Sequence, residues 1–374
     1  MNFKNALVYT EDFRFVRCGF SVENGRFAAV GEEKEDAVDL NGKRVIPGLI
    51  DVHTHGNSGA DFSDGDYEGD VAMARYEAQN GVTAFAPASM TLPYDVLEKA
   101  FAEGLRVKKE APEGCARLIG VNMEGPYFSE KKKGAQNAEY LKKPDFEGFK
   151  RLYDGSEGLV RIVDIAPELE GAAEFIEKAS KLCTVSIAHT DCTYEDALSA
   201  INAGASQLTH LFNAMPSIHH RKPGPIGAAS ESGSVRAELI CDGLHVHPSS
   251  VRMAFRLFGG ERIILVSDSL RCCGMPDGEY ELGGQRVWLA DSIARLADGT
   301  IAGSATNLYK CMCNAVSFGI APEDAVRAAT YNPACALHAE NEIGSIANGK
   351  LADFVVCNDA FELEQVYIGG ERIK

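Results

Sequence analysis

The chain has 374 residues, enough to bury a large core as one big domain or two. Hydrophobic residues make up 45% and charged residues 24%, and the formal net charge is -17. That balance is ordinary for a soluble globular protein and argues against partners such as nucleic acid or an anionic membrane. The N-terminal stretch has no signal-peptide core, and no segment approaches the roughly 20 apolar residues of a membrane span. The 11 cysteines are an odd number without zinc-finger spacing, so reduced thiols in a cytoplasmic protein are expected.

Residues 1–46 read as short strands, with Asn24-Gly25 as a hairpin turn. The C-terminus has the same character: apolar runs at 352–357 and 363–368, then a Gly369-Gly370 turn. Residues 1–46 and 344–374 are therefore expected to build one small β-sandwich domain from both chain ends.

The middle, 47–343, alternates strand-like and helix-like runs. Apolar runs ending in polar residues fall at 45–55, 83–89, 117–124, 160–168, 184–189, 207–210, 235–245 and 262–268. Between them lie helical patterns at 71–79, 97–109, 172–182 and 194–203. Thr193 with Asp196 makes an aspartate form of the capping box before the last of these. This periodicity predicts a (β/α)8 TIM barrel, with the active site at the C-terminal strand ends. A doubly wound sheet is the alternative, but no Gly-rich dinucleotide turn follows the first strand. Residues 274–303 break the pattern with Asp-Gly and Gly-Gly turns, which predict a β-hairpin insert. A final helix is expected to run through Pro322 to about Leu337.

The strand ends collect metal-binding and acid–base residues. The first carries Asp51, His53 and His55; on a strand, residues i and i+2 share a face. Later strand ends carry Glu124, His189, His210, His245 and Asp268. A lone histidine is more often a hydrogen-bonded loop or core residue. A set converging on one barrel rim is costly unless paired or metal-bound. Glu124, His189 and His210 offer the donors of a catalytic divalent-metal site with one position open for water. Asp268 is placed to move the water's proton to the leaving group, and His245 to polarise a carbonyl or hold an oxyanion. His247 reads as a loop residue.

These motifs resemble the amidohydrolase superfamily and, within it, the N-acetylglucosamine-6-phosphate deacetylases. The resemblance rests on PGLIDVHTHG at 47–56, MEGPYFSEKKKGAQ at 123–136 and AHTDCTYEDALSAINAGA at 188–205. It continues with THLFNAM at 209–215, DGLHVHP at 242–248, VSDS at 266–269 and GSIANGKLADFVV at 344–356. It implies hydrolysis of N-acetyl-D-glucosamine 6-phosphate to D-glucosamine 6-phosphate and acetate, in amino-sugar catabolism. Glu124, His189 and His210 would be the metal ligands and Asp268 the proton carrier. His245 would touch the acetamide or sugar. Asn213 and Ala214 would offer backbone N–H groups to the phosphate, and Ala135 and Thr306, Asn307 and Leu308 would line the sugar pocket. Arg221 matches an arginine that reaches the phosphate in the other subunit of a homodimer; a guanidinium suits that geometry. Gln136 stands where some members have histidine, which leaves one sugar contact open. His53 and His55 admit a second ion, bridged by Glu124, although no lysine ends the fourth strand to form a carbamate. One or two ions per subunit, of Zn, Fe, Mn, Co or Ni, fit these donors. The alternatives are an amidohydrolase for another N-acyl or cyclic amide, and a catalytically inactive scaffold barrel.

Overall fold

The computed structural model describes residues 1–374. The barrel strands are Leu49–Asp51, Val82–Phe85, Val121–Tyr127 with its lead-in Arg117–Leu118, Val160–Ile165, Thr184–Ile187, Gln207–Leu208, Arg236–Ile240 and Ile263–Val266. All neighbouring pairs are parallel and form two arcs. A bridge between Ala88 and Asn122 joins the arcs on one side. On the other, the Asp268 N–H donates to the His53 carbonyl at 2.8 Å. The fold is the (β/α)8 barrel with a small β domain.

Side-chain alternation fills the barrel. Ile50 and Val52, Ala84 and Ala86, and Ile264 and Val266 point inward at i and i+2 and meet Ile162 and Ile240 in one buried cluster. Ala334, Ala336 and Leu337 join it from the last helix. The Ala336 carbonyl accepts from Thr184 Oγ1, and Asn332 Nδ2 donates to the Ile263 carbonyl, so this helix plugs the barrel where its strands begin. The opposite end, where the histidines sit, is left for chemistry.

The final helical stretch is not continuous. It divides into Pro322–Ala329 and Tyr331–Ala336 at Thr330, whose φ of -131° and ψ of -74° are not helical. Pro333 lacks the N–H that a continuous helix would need there. Helices at Phe146–Gly155, Gly224–Glu231, Pro248–Phe258 and Leu308–Ser317 are additional to those the pattern predicts. Tyr194–Ala203 begins with the capping box: Thr193 Oγ1 accepts from Asp196 N, and Asp196 Oδ2 accepts from Thr193 N.

Five N-terminal and three C-terminal strands form one eight-stranded sheet. Its pivot is Arg44–Pro47, parallel to Asn2–Tyr9 and antiparallel to Phe354–Cys357. Aromatic packing holds the sheet over a common core: Phe3 stacks on Phe20 at 4.8 Å, Phe354 on Tyr367 at 4.3 Å, and the two pairs meet edge to face. The chain enters the barrel at Gly48, where a Cβ would lie 2.0 Å from Thr83 Oγ1, so only glycine fits that approach. The 274–303 segment forms a three-stranded antiparallel sheet, Gly278–Leu282, Gln285–Ala290 and Ile293–Leu296. Leu282, Val287 and Leu289 seat it on Met90 and Leu270 beside the histidine end of the barrel. No helix is long and apolar enough to cross a membrane.

Candidate active site

Six buried side chains converge where the strands end. Glu124 lies at their centre. Its Oε1 is 3.1 Å from His189 Nε2, 3.2 Å from His210 Nε2 and 3.5 Å from His53 Nε2. Its Oε2 is 3.3 Å from His55 Nε2. Two triads therefore share one carboxylate: Glu124 with His189 and His210, and Glu124 with His53 and His55. Asp268 Oδ1 stands 3.4 Å from His55 Nε2 and 3.7 Å from His53 Nε2.

The backbone is bent to aim these groups. His189, His210 and Asp268 follow their strands with φ of 43°, 30° and 48°. Left-handed backbone at residues other than glycine is strained and concentrates at functional sites.

The donor chemistry fits a cation. His189 Nδ1 donates to the Lys132 carbonyl at 2.9 Å, so His189 Nε2 carries its lone pair into the site. That nitrogen lies 3.1 Å from His210 Nε2, and both face Glu124 Oε1. His53 Nε2 is buried with no hydrogen-bond partner. Lone pairs so close together call for positive charge between them. Burial alone would push Glu124 up, but the imidazoles, led by His53, hold it well below the usual carboxylate range. Burial would lower His55, yet Asp268 and Glu124 raise it to about 10. Protons and a divalent ion are thus competing solutions to the same charge problem. Two imidazoles and one carboxylate per triad are ligands for first-row divalent metals.

A cavity of about 230 Å³ opens above the triads. Its wall includes His55, Glu124, His189, His210 and Asp268, and also Ala135, Gln136, Asn213, Ala214 and His245. Met90, Leu270 and Leu282 supply an apolar side, and no lysine or arginine lines it. His245 is held by Asp242, whose Oδ2 accepts from Nδ1 at 2.6 Å. Asp242 Oδ1 also accepts the backbone N–H groups of Leu244 and His245. Burial opposes the proton on His245, but the Asp242 contact raises its pKa above the usual value.

Several expected contacts are placed differently. Gln136 commits both ends of its amide to protein partners. Its Nε2 donates to Glu124 Oε2 at 2.6 Å, and its Oε1 accepts from Thr91 N at 2.8 Å. The Asn213 N–H is spent on the His210 carbonyl at 2.9 Å, so of these two residues only Ala214 keeps an uncommitted N–H. Thr306, Asn307 and Leu308 do not line the cavity. Asn307 caps the helix that follows, with Oδ1 accepting from Lys310 N; Leu308 is wholly buried in the main core; the Thr306 carbonyl accepts from Cys273 Sγ. Arg221 is exposed in a tight turn closed between His219 and Lys222, away from its own chain's cavity wall. His247 caps the helix Pro248–Phe258. At the end of the fourth strand, Glu168 is engaged by Thr190 Oγ1 and Asp191 N.

Glu238 and Asp242 are missing from the sequence-derived set. Glu238 had a readable signal, because it is a charge inside the apolar run Ala237–Cys241. Asp242 had none beyond its place in DGLH.

The family profile for the amidohydrolase family matches residues 44–373. The chain belongs to the amidohydrolase family. This amidohydrolase is 34% identical over 357 residues to the N-acetylglucosamine-6-phosphate deacetylase of Vibrio furnissii, covering 94% of this chain and 89% of that one. It is 31% identical over 354 residues to the N-acetylgalactosamine-6-phosphate deacetylase of Escherichia coli O157:H7, covering 94% and 93%. Among solved structures, it superposes with a TM-score of 0.94 and 31% identity on a mutant N-acetyl-D-glucosamine-6-phosphate deacetylase of Mycobacterium smegmatis in complex with N-acetyl-D-glucosamine-6-phosphate, covering 100% and 99%. The Thermotoga maritima N-acetylglucosamine-6-phosphate deacetylase gives a TM-score of 0.91 at 27% identity, covering 100% and 99%.

Proposed function

We propose that this amidohydrolase removes the acetyl group of N-acetyl-D-glucosamine 6-phosphate, giving D-glucosamine 6-phosphate and acetate. The carrying observation is Asp268 set beside two imidazole triads that share Glu124, at the floor of a cavity sized for one small molecule. Full-length similarity to deacetylases of amino-sugar phosphates supports the substrate class.

Glu124, His189 and His210 would hold one divalent ion, and His53 and His55 with Glu124 a second. Such an ion acidifies water and polarises a carbonyl oxygen. Asp268 accepts the proton of the attacking water and delivers it to the departing amine, a contribution of roughly 10²–10⁴ in rate. His245, held as a donor by Asp242, hydrogen-bonds substrate oxygen at the cavity wall. Met90, Leu270 and Leu282 exclude water from the acetyl side. The Ala214 N–H offers one phosphate contact. The wall has no cation of its own, which supports a homodimer in which Arg221 of one subunit serves the phosphate in the other. All eleven cysteines are free thiols, which supports a reducing compartment and hence the cytoplasm.

The test is acetate release by metal-stripped protein reloaded with one metal at a time. The substrates are N-acetylglucosamine 6-phosphate, its galactosamine epimer and unphosphorylated N-acetylglucosamine. Turnover of the phosphorylated glucosamine substrate far above the unphosphorylated sugar is expected. Preference for the epimer would move the assignment to the galactosamine branch; no turnover with any metal would refute it.

A further inference from the structure

Glu238 lies on the strand Arg236–Ile240 with no exposed surface, beneath the metal-ligating atoms. Its Oε2 accepts from His53 Nδ1 at 2.9 Å and from the His210 backbone N–H at 3.2 Å. Its Oε1 accepts from Gln207 Nε2 at 2.7 Å. One carboxylate oxygen thus touches a member of each imidazole triad.

We propose that Glu238 is a positioning residue that makes His53 a metal ligand and so creates the second ion site; the inference rests on the two-ion reading above. A carboxylate has no proton to give, so His53 Nδ1 must be the donor. The Nε2 lone pair is then forced toward Glu124 Oε1 and Asp268 Oδ1, where that nitrogen has no hydrogen-bond partner of its own. Without an acceptor at 238 the ring is free to carry its proton on Nε2 and turn from the ion. A buried carboxylate kept only for packing would be a poor choice, because an apolar side chain of similar volume fills the space without desolvating a charge. Glu238 also accepts the His210 N–H on a backbone whose φ is 30°, but the His210 ring meets Glu124 and His189 through Nε2 with no contact to Glu238 of its own. The dependence therefore falls on the His53 side.

The neighbours supply a discriminating variant. Gln207 Oε1 is buried without a partner. In Glu238→Gln the new amide can keep its oxygen on His53 Nδ1 and give its NH₂ to Gln207 Oε1 once the Gln207 amide turns over. Glu238→Asp keeps the charge but is one methylene too short to reach His53.

The experiment is a Zn²⁺ titration of metal-stripped wild type, Glu238→Gln, Glu238→Asp and Glu238→Leu, reading stoichiometry and affinity per subunit with thermal melts alongside. Two ions are expected in wild type and in Glu238→Gln. In Glu238→Asp and Glu238→Leu the second ion should weaken by roughly 10- to 100-fold, as for loss of a ligand's orienting partner, while the first stays within a few-fold. If Glu238→Leu does not fold, the glutamine–aspartate contrast decides. Two ions of wild-type affinity in Glu238→Asp overturn this inference alone. A wild-type stoichiometry of one overturns the two-ion reading and this inference with it.

Discussion

Gln136 Nε2 donates to Glu124 Oε2 at 2.6 Å, on the oxygen that also faces His55 at 3.3 Å. The amide is anchored at its other end by the Thr91 N–H. Gln136 therefore sets the rotation of the shared carboxylate and keeps Oε1 turned to His189 and His210. Gln136→Ala should lower affinity for the first bound ion by about tenfold or more, with a smaller change in substrate KM at saturating metal. Competition of the protein against a chelator measures the first quantity. An unchanged metal affinity with a raised KM would return Gln136 to the role of sugar contact.

Asp268 is the one carboxylate of the site beside both His53 and His55 that belongs to neither triad. Asp268→Asn should cut kcat by roughly 10²–10⁴ while metal content stays at the wild-type level. Metal loss in this variant would show Asp268 to be chiefly a ligand.

Asp242 holds His245 through a 2.6 Å contact and raises its pKa above the ordinary value. The imidazolium therefore survives to higher pH than a free histidine would. Removing the negative charge lowers that pKa, so in Asp242→Asn the alkaline limb of kcat/KM should move to lower pH. A pH profile at saturating metal reads this directly. An unmoved alkaline limb would show that the protonated form of His245 is not the working one.

Arg221 is exposed and engages only the neighbouring His220 and His219. Arg221→Ala should raise KM for the phosphorylated sugar by at least tenfold, the loss of a charge-assisted phosphate contact of about 1.5–3 kcal/mol. The expected homodimer adds a sharper outcome. Mixing inactive Asp268→Asn subunits with Arg221→Ala subunits should restore one working site per mixed dimer. Failure to complement would place the arginine's role within its own chain.

Asp70 sits in the first turn of the helix Tyr67–Gln79, buried, with both carboxylate oxygens unpartnered. Burial, followed by the charges of Asp66 and Asp61, pushes its pKa up to about 8. In the unfolded chain an aspartate ionises near 4, so between pH ~4 and ~8 the folded state binds the extra proton and stability falls as pH rises. Asp70→Asn removes the penalty. Its melting temperature should exceed wild type by a margin that widens from pH 5 to pH 8 and then levels. A pH-independent margin would show that Asp70 is not protonated in the fold.

The barrel and the rim positions of its histidines and carboxylates were legible because they are local. His53 and His55 lie two residues apart after an apolar run, and Glu124, His189, His210 and Asp268 each close such a run. A barrel converts that repeated position into one rim. The Thr193–Asp196 cap and the Asn24-Gly25 turn are local in the same sense. The break at Thr330 had a local signal in Pro333, which cannot donate to the preceding turn, but the angle at which the last helix seats under the barrel was not legible.

Hydrogen-bond partners were decided only by tertiary structure. Gln136 reaches Glu124, Glu238 reaches His53 across 185 positions of chain, and the Asn213 N–H is consumed by His210. Sequence alone determined which residue types reach the rim, because each closes an apolar run and a parallel barrel brings the ends of all such runs to one face. Tertiary structure decided which of them meet at one point and which brace those that do, because a hydrogen bond depends on tenths of an ångström between strands that sequence spacing does not encode.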